Sequence, residues 1–176
     1  MASYIIRSEL PVDGPGIFEV NVKAFGEDEE ARIVQTLRAG GDFNPALSIV
    51  ADHEDEILGH ILFPPVTIES PKGSVPAVAL ALLSVHPMYQ CQGIGSALIE
   101  EGLEECRRLG HRICVVVGHP AYYPMFGFTS AKNQGICVGF PCPDDALMVL
   151  PLVPGALDGV GGMIRYHPAL SSMMDN

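Results

Sequence analysis

Residues 83–98, Leu83-Ser84-Val85-His86-Pro87-Met88-Tyr89-Gln90-Cys91-Gln92-Gly93-Ile94-Gly95-Ser96-Ala97-Leu98, run from the end of an apolar stretch through a turn and two glycines into a helical pattern. A strand that feeds a glycine-containing loop at a helix start is either an anion site or a turn whose glycines serve geometry only. Glycine lets main-chain N–H groups come close to a ligand, and the unpaired donors and dipole of the helix N-terminus point at it. A pyrophosphate suits such a loop. Two familiar versions are excluded. A dinucleotide fingerprint beginning at Gly93 requires Gly or Ala where Leu98 stands, and an acid closing the next strand, where Val117-Gly118 stands. A triphosphate loop requires Gly-Lys followed by Ser or Thr, and the sequence has no such tripeptide.

Downstream of the loop, Ile94–Leu109 carries apolar or small residues at 94, 95, 98, 99, 102, 103, 106 and 109, with Glu100, Glu101, Glu104, Glu105, Arg107 and Arg108 opposite. That stripe predicts an amphipathic helix, stopped at Gly110 by a left-handed cap. Ile113–Val117 reads as a buried strand, Pro120–Phe126 as a short helical turn, and Ala146–Leu150 and Met163–Tyr166 as two final strands. Upstream, Val75–Val85 reads as one nearly continuous buried strand. Ala46–Ala51 and Ile57–Ile68 read as a hairpin joined by the polar turn 52–56. The chain opens with a strand at Tyr4–Arg7, closed by Pro11 and Gly14-Pro15-Gly16. Two helices follow, one with Ile17, Phe18, Val22 and Phe25 on a face, the other over Glu27–Arg38 with Asp28, Glu29 and Glu30 at its N-terminus. This order predicts an α/β domain with a mixed sheet. The ~33 residues beyond Pro143 are too few for a second core, so one domain is expected over 1–176.

The 176 residues are 48% hydrophobic and 18% charged, ample apolar surface for a folded chain. The net charge is −11, and the excess lies in residues 1–88, which hold 5 basic and 13 acidic groups. Such a field repels nucleic acid and anionic membranes and is compatible with a cationic amine. Five cysteines, Cys91, Cys106, Cys114, Cys137 and Cys142, form no Cys-x-x-Cys pair, against a disulfide framework and against a metal knuckle. The opening MASYIIRSEL lacks a secretory pattern, and no apolar run approaches the ~20 residues of a membrane span. A cytoplasmic protein without metal is expected. The 19 glycines and 15 prolines follow no period, so most punctuate short elements.

Gln90-x-x-Gly93-x-Gly95 after the strand end Leu83-Ser84-Val85-His86-Pro87, followed by an amphipathic helix and then Tyr122-Tyr123-Pro124-Met125-Phe126-Gly127-Phe128, resembles the GNAT superfamily of acyl-CoA-dependent N-acetyltransferases. The likeness is strongest over residues 79–128, and the ending 152–170, LVPGALDGVGGMIRYHPAL, is similar to the bacterial YhbS-like branch. The resemblance implies an α+β fold whose central sheet is mixed and mostly antiparallel with flanking helices. It also implies transfer of an acetyl group from acetyl-CoA to a primary amine by direct attack in a ternary complex.

By the same resemblance, the backbone of Leu83, Ser84 and Val85 pairs with the pantetheine arm as an added strand. Side-chain identity there should hardly matter. The N–H of Val85 polarises the thioester carbonyl. Cys91, Gln92, Gly93, Ile94, Gly95 and Ser96 offer main-chain donors to the pyrophosphate, and Ser96 adds a hydroxyl. Tyr123, four residues before Gly127, is the expected acid for the departing thiolate, although the adjacent Tyr122 is not separated from it by spacing. His86, His119, Glu54 and Glu69 are base candidates, none selected by spacing. Two departures from the family pattern stand out. Gln90, Cys91 and Gln92 leave the loop uncharged, so phosphate affinity rests on amides and the helix dipole; Lys132, Arg107, Arg108 and Arg112 are the cations available for the 3′-phosphate. Met125 occupies a place where the family often has a basic residue, and the Asn often found ahead of the tyrosine is absent. The alternative reading is a non-catalytic acyl-CoA-binding or regulatory module on the same fold. The acceptor is a small-molecule or peptide amine, and the terminal strands leave a homodimer open.

Overall fold

The structure, a computed structural model, describes residues 3–174. In chain order its elements are β1 (Ile5–Ser8), α1 (Gly14–Phe25), α2 (Glu29–Ala39), β2 (Ser48–His53), β3 (Glu56–Leu62), β4 (Pro65–Ser70), β5 (Gly73–Ala79), β6 (Ala81–Val85), α3 (Ile94–Arg108), β7 (Ile113–Val117), β8 (Thr129–Ser130), β9 (Ile136–Val138), β10 (Leu147–Pro151), β11 (Gly162–Arg165) and α4 (Pro168–Met174). Hydrogen bonding sorts the strands into an antiparallel sheet of order β1-β2-β3-β6 and a mixed sheet of order β8-β10-β7-β5-β4-β11-β9. The mixed sheet is parallel only at β5·β7 and β9·β11. The fold is thus the mixed α/β class with a mostly antiparallel strand set.

Two compact units follow these sheets. The first holds the chain up to Pro64 together with Ala81–Glu105, the second Pro65–Leu80 together with the chain from Cys106 onward. In the first unit α1 packs on β3 and β6 and buries Ile17, Val20 and Asn21, while α2 buries Ala31, Ile33, Val34 and Leu37. Each of the isoleucine, valine and leucine side chains among them, taken from water, contributes about 2 kcal/mol. The second unit is centred on β7, whose Ile113, Cys114, Val115 and Val116 are buried, flanked by buried Leu147–Leu150 of β10 and Ala77–Ala79 of β5.

Three elements differ from the sequence expectation. Gly14-Pro15-Gly16 opens α1 instead of closing the first strand, because proline in a first helical turn forfeits no intrahelical bond. The run Ile57–Ile68 divides at Phe63-Pro64: Phe63 N–H donates to the Leu47 carbonyl (3.0 Å), and Pro64 has no N–H to continue a ladder. The run Val75–Val85 divides at Leu80, whose N–H turns to the Val115 carbonyl (2.8 Å), so β5 and β6 join different sheets. Leu82 beyond it has φ +68°, opposite a register shift between Ile61 and Leu62. A uniformly apolar run carries no alternation from which such a break could be read. The amphipathic helix and the β7 strand lie where the pattern places them, within a residue.

Candidate active site

In the first unit, β6 is the last strand of its sheet and pairs with β3 in the register Gly59↔Val85, His60↔Ser84 and Ile61↔Leu83. His86 N–H donates to the Leu58 carbonyl at 2.8 Å. Main-chain groups of a strand alternate sides, so the N–H of Val85 is directed to the edge that β3 does not pair. The Val85 carbonyl, on that same edge, accepts from Gln90 Nε2 at 3.2 Å. Close packing of the strand depends on Gly59, where a Cβ would lie 3.1 Å from the Ser84 carbonyl oxygen and 3.0 Å from Leu98 of α3.

The loop after β6 begins with a single 3-10 turn, Pro87–Tyr89, capped by His86, whose Nδ1 accepts the Met88 N–H at 3.1 Å. Gln92 Nε2 reaches back to the Met88 carbonyl (3.5 Å). Cys91 and Gly93 then take left-handed φ of +61° and +87°, a conformation cheap only for the glycine. Cys91, Gln92 and Gly93 are exposed, Ile94 is buried, and Gly95 and Ser96 are half-buried. The first α-helical bond of α3 runs from Ala97 N–H to the Gly93 carbonyl (3.0 Å), so the N–H groups of Ile94 and Gly95 lie ahead of the ladder. The structure therefore brings Leu83, Ser84, Val85 and the loop 91–96 together as one strand, turn and helix N-terminus. Of Leu83, Ser84 and Val85, Ser84 is the one whose side chain is fully buried.

In the second unit, Tyr123 opens the 3-10 turn Tyr123–Phe126, which ends at Gly127 with φ +98°. Its ring stands edge-on to Tyr122 (5.2 Å) and to the buried Phe128 (5.8 Å). The ring also lies on Gly118, where a Cβ would come within 2.4 Å of Tyr123 Cε2. Burial, with Tyr122 and Cys114 adding to it, pushes the Tyr123 phenol up to about 12. It stays protonated throughout the neutral range, as an acid must before it donates. Gly118 is the residue that sequence reasoning missed. A glycine closing the all-apolar strand Ile113–Val117 was the available signal, since glycine at a strand end marks a close approach.

Residues 15–128 match the Acetyltransferase (GNAT) family. The chain belongs to the GNAT acetyltransferase family. It is 34% identical over 163 residues to the uncharacterized N-acetyltransferase YhbS of Escherichia coli K12, covering 93% of this chain and 96% of that one. Against the uncharacterized N-acetyltransferase YjhQ of the same organism it is 38% identical over 134 residues, 76% of this chain and 74% of that one. Among solved structures, E. coli YhbS in complex with CoA superposes with a TM-score of 0.89 at 32% identity, covering 97% and 93% of the two chains. A GNAT family acetyltransferase from Brucella melitensis in complex with acetyl-CoA superposes with a TM-score of 0.78 at 33% identity, covering 97% and 99%. With the family comes the enzyme class, an N-acetyltransferase.

In this GNAT chain each base candidate has its own local setting. Glu54, with φ +49°, is exposed at the tip of the β2–β3 hairpin, and Glu69 is paired with Arg165 at 2.9 Å. His119 is exposed, and its carbonyl accepts the Tyr122 N–H at 3.1 Å. His86 lines a 180 Å³ cleft with Glu19, Lys23, Asp55 and Glu56, in which Lys23 is paired with Glu19 at 2.7 Å. Among the cations weighed for the 3′-phosphate, Lys132 is paired with Asp144 (3.1 Å), and Arg107 Nε donates to the Leu152 carbonyl (3.0 Å). No group of three or more His, Cys, Asp or Glu suited to a metal is found among the described residues, nor a helix long and apolar enough to cross a membrane.

Proposed function

We propose that this GNAT enzyme transfers the acetyl group of acetyl-CoA to a primary amine by direct attack within a ternary complex. The observation that carries the reading is the unpaired edge of β6 running into a glycine loop on the N-terminus of α3. Along the stretch Leu83-Ser84-Val85, that edge offers the main-chain groups of Leu83 and Val85, which β3 leaves unpaired, to an extended pantetheine arm, as a strand added to a sheet edge. The loop amides from Cys91 to Ser96, with the α3 dipole, hold the pyrophosphate without any loop cation.

In the transfer itself, the amine nitrogen attacks the thioester carbonyl, and the N–H of Val85 stabilises the charge that develops on its oxygen. The C–S bond then breaks, and Tyr123 is the residue that gives its proton to the departing thiolate. The proton lost by the amine goes to a base or a water chain, and no side chain is assigned that task. The CoA and acetyl-CoA complexes of the two superposed relatives support the choice of cosubstrate. A free-thiol release assay with acetyl-CoA across a panel of primary amines tests the reading. Thiol release that depends on the amine is expected. Tight CoA binding with no turnover on any amine would favour a binding module, which the uncharged loop makes the second reading.

A further inference from the structure

Four elements of the first unit each send one polar side chain into a single buried cluster: Asn21 from α1, Ser48 from β2, His60 from β3 and Ser84 from β6, all between 0% and 2% exposed. Asn21 Nδ2 donates to the Ile17 carbonyl (2.9 Å) and faces His60 Nδ1 at 3.3 Å. A carbonyl only accepts, which fixes the amide orientation and makes Nδ1 of His60 the acceptor. A neutral imidazole must then carry its hydrogen on Nε2, which donates to Ser48 Oγ at 2.8 Å. Both ring nitrogens are held from different elements, so the ring cannot turn. The hydroxyl of Ser84, directly across the ladder from His60, has no hydrogen-bond partner, nor has the Asn21 amide oxygen. Buried polar atoms left in this condition are rare, and an apolar pair would pack there at less cost.

What such a cluster touches is the strand proposed to bind the cofactor. After the break at Leu80 and the left-handed Leu82, only Leu83, Ser84 and Val85 of β6 remain in regular register with β3. So short a ladder leaves the height of the strand to its side-chain supports. Gly59 sets it on the face toward α3, and His60 sets it on the face toward α1.

We propose that His60 is a positioning residue for acetyl-CoA, its imidazole clamped between Asn21 and Ser48 and propping Ser84, so that the backbone of Leu83, Ser84 and Val85 stands where the pantetheine arm can pair with it. This rests on the cofactor reading given above. It also reverses the expectation that side chains at 83–85 are interchangeable, since Ser84 is the point at which the cluster meets the strand.

The test compares full-length wild type, His60→Leu, His60→Gln and Ser84→Ala by calorimetry with CoA, by thermal unfolding, and by the KM for acetyl-CoA and for the amine. His60→Leu should weaken CoA binding about tenfold, as expected of a misplaced binding strand, with the amine KM unchanged. Glutamine, whose amide N–H can still reach Ser48, should restore affinity to within about threefold of wild type. Ser84→Ala removes a hydroxyl that has no partner, so it should leave the unfolding midpoint unchanged or higher while weakening CoA about threefold. If His60→Leu lowers the midpoint but binds CoA like wild type, or if glutamine recovers nothing, His60 is an ordinary core residue and the proposal fails. If His60→Leu does not fold, Ser84→Ala decides alone, and wild-type CoA affinity in that variant overturns the proposal. A wild-type chain that binds no CoA would overturn the cofactor reading itself, a result distinct from a variant that matches wild type.

Discussion

Acidification should weaken the first unit through His60. Burial, with Arg38 nearby adding repulsion, holds its imidazole at about 3 instead of the ordinary 6.5. Unfolding restores the ordinary value, so between these two pH values the unfolded chain binds a proton that the folded chain refuses. Stability is therefore fully present above pH 6.5 and falls as pH drops toward the folded value, by about 1.4 kcal/mol per pH unit. At about pH 4.5 the loss is about 3 kcal/mol, and its limit is about 5 kcal/mol, as large as the whole stability of a marginal domain. The Asp13 carboxyl, lowered by its hydrogen bonds to Arg7, acts in a different window: its contribution is present above 3.8 and is lost only at lower pH. His111, also lowered by burial, works in the same direction as His60, so a comparison is needed to separate the two. Urea titrations of wild type and His60→Gln at about pH 7.5 and about pH 4.5 supply it, because glutamine does not titrate in this range. Wild type should lose about 3 kcal/mol more than the variant over that interval. Parallel losses in the two proteins would refute the argument that His60 is buried in its neutral form.

Gly95→Asp adds bulk and a negative charge to the first turn of α3, and calorimetry should find CoA binding abolished; unchanged affinity would remove the loop from the cofactor site. Tyr123→Phe should lower turnover by about 10²-fold or more while leaving CoA affinity intact, the pattern of a lost proton donor, and full turnover would reject the acid role. Because the Tyr123 phenol is pushed up to about 12, the wild-type pH–rate profile should show no alkaline loss from this group near the ordinary tyrosine value of about 10. Gly118→Ala places a methyl where Tyr123 Cε2 lies within 2.4 Å, so the ring must move. Thiol release should fall as it does in Tyr123→Phe, and a fully active Gly118→Ala enzyme would show that the ring's seat is immaterial.

Much of the candidate site was legible because its signals are local. Gln90, Gly93 and Gly95 ahead of an apolar stripe announce a loop and helix start, and Tyr123 four residues before Gly127 announces the aromatic turn. The choice between Tyr122 and Tyr123 was not legible. Both are half-buried and both meet a phenylalanine edge-on, and the proposal for Tyr123 rests on its seat on Gly118 and on the burial of its Phe128 neighbour, features of packing across the chain. The breaks at Pro64 and Leu80 were hidden for a related reason. Both lie inside apolar runs, and the residues leading up to each break, Ile61–Phe63 and Ala77–Ala79, are buried without alternation.

The sequence alone determined what depends on neighbours a few positions apart: the α3 stripe, the glycines at the loop, the acidic field, and through the first two the resemblance to the GNAT family. The tertiary structure alone decided what depends on partners far along the chain. Ser84 is buried across the ladder from His60, itself held by residues 21 and 48, and that setting is invisible in the tripeptide Leu83-Ser84-Val85. The physical reason is that burial and hydrogen-bond satisfaction are properties of a packed neighbourhood. A serine on an edge strand and a serine facing a clamped imidazole are the same letter until the chain has folded.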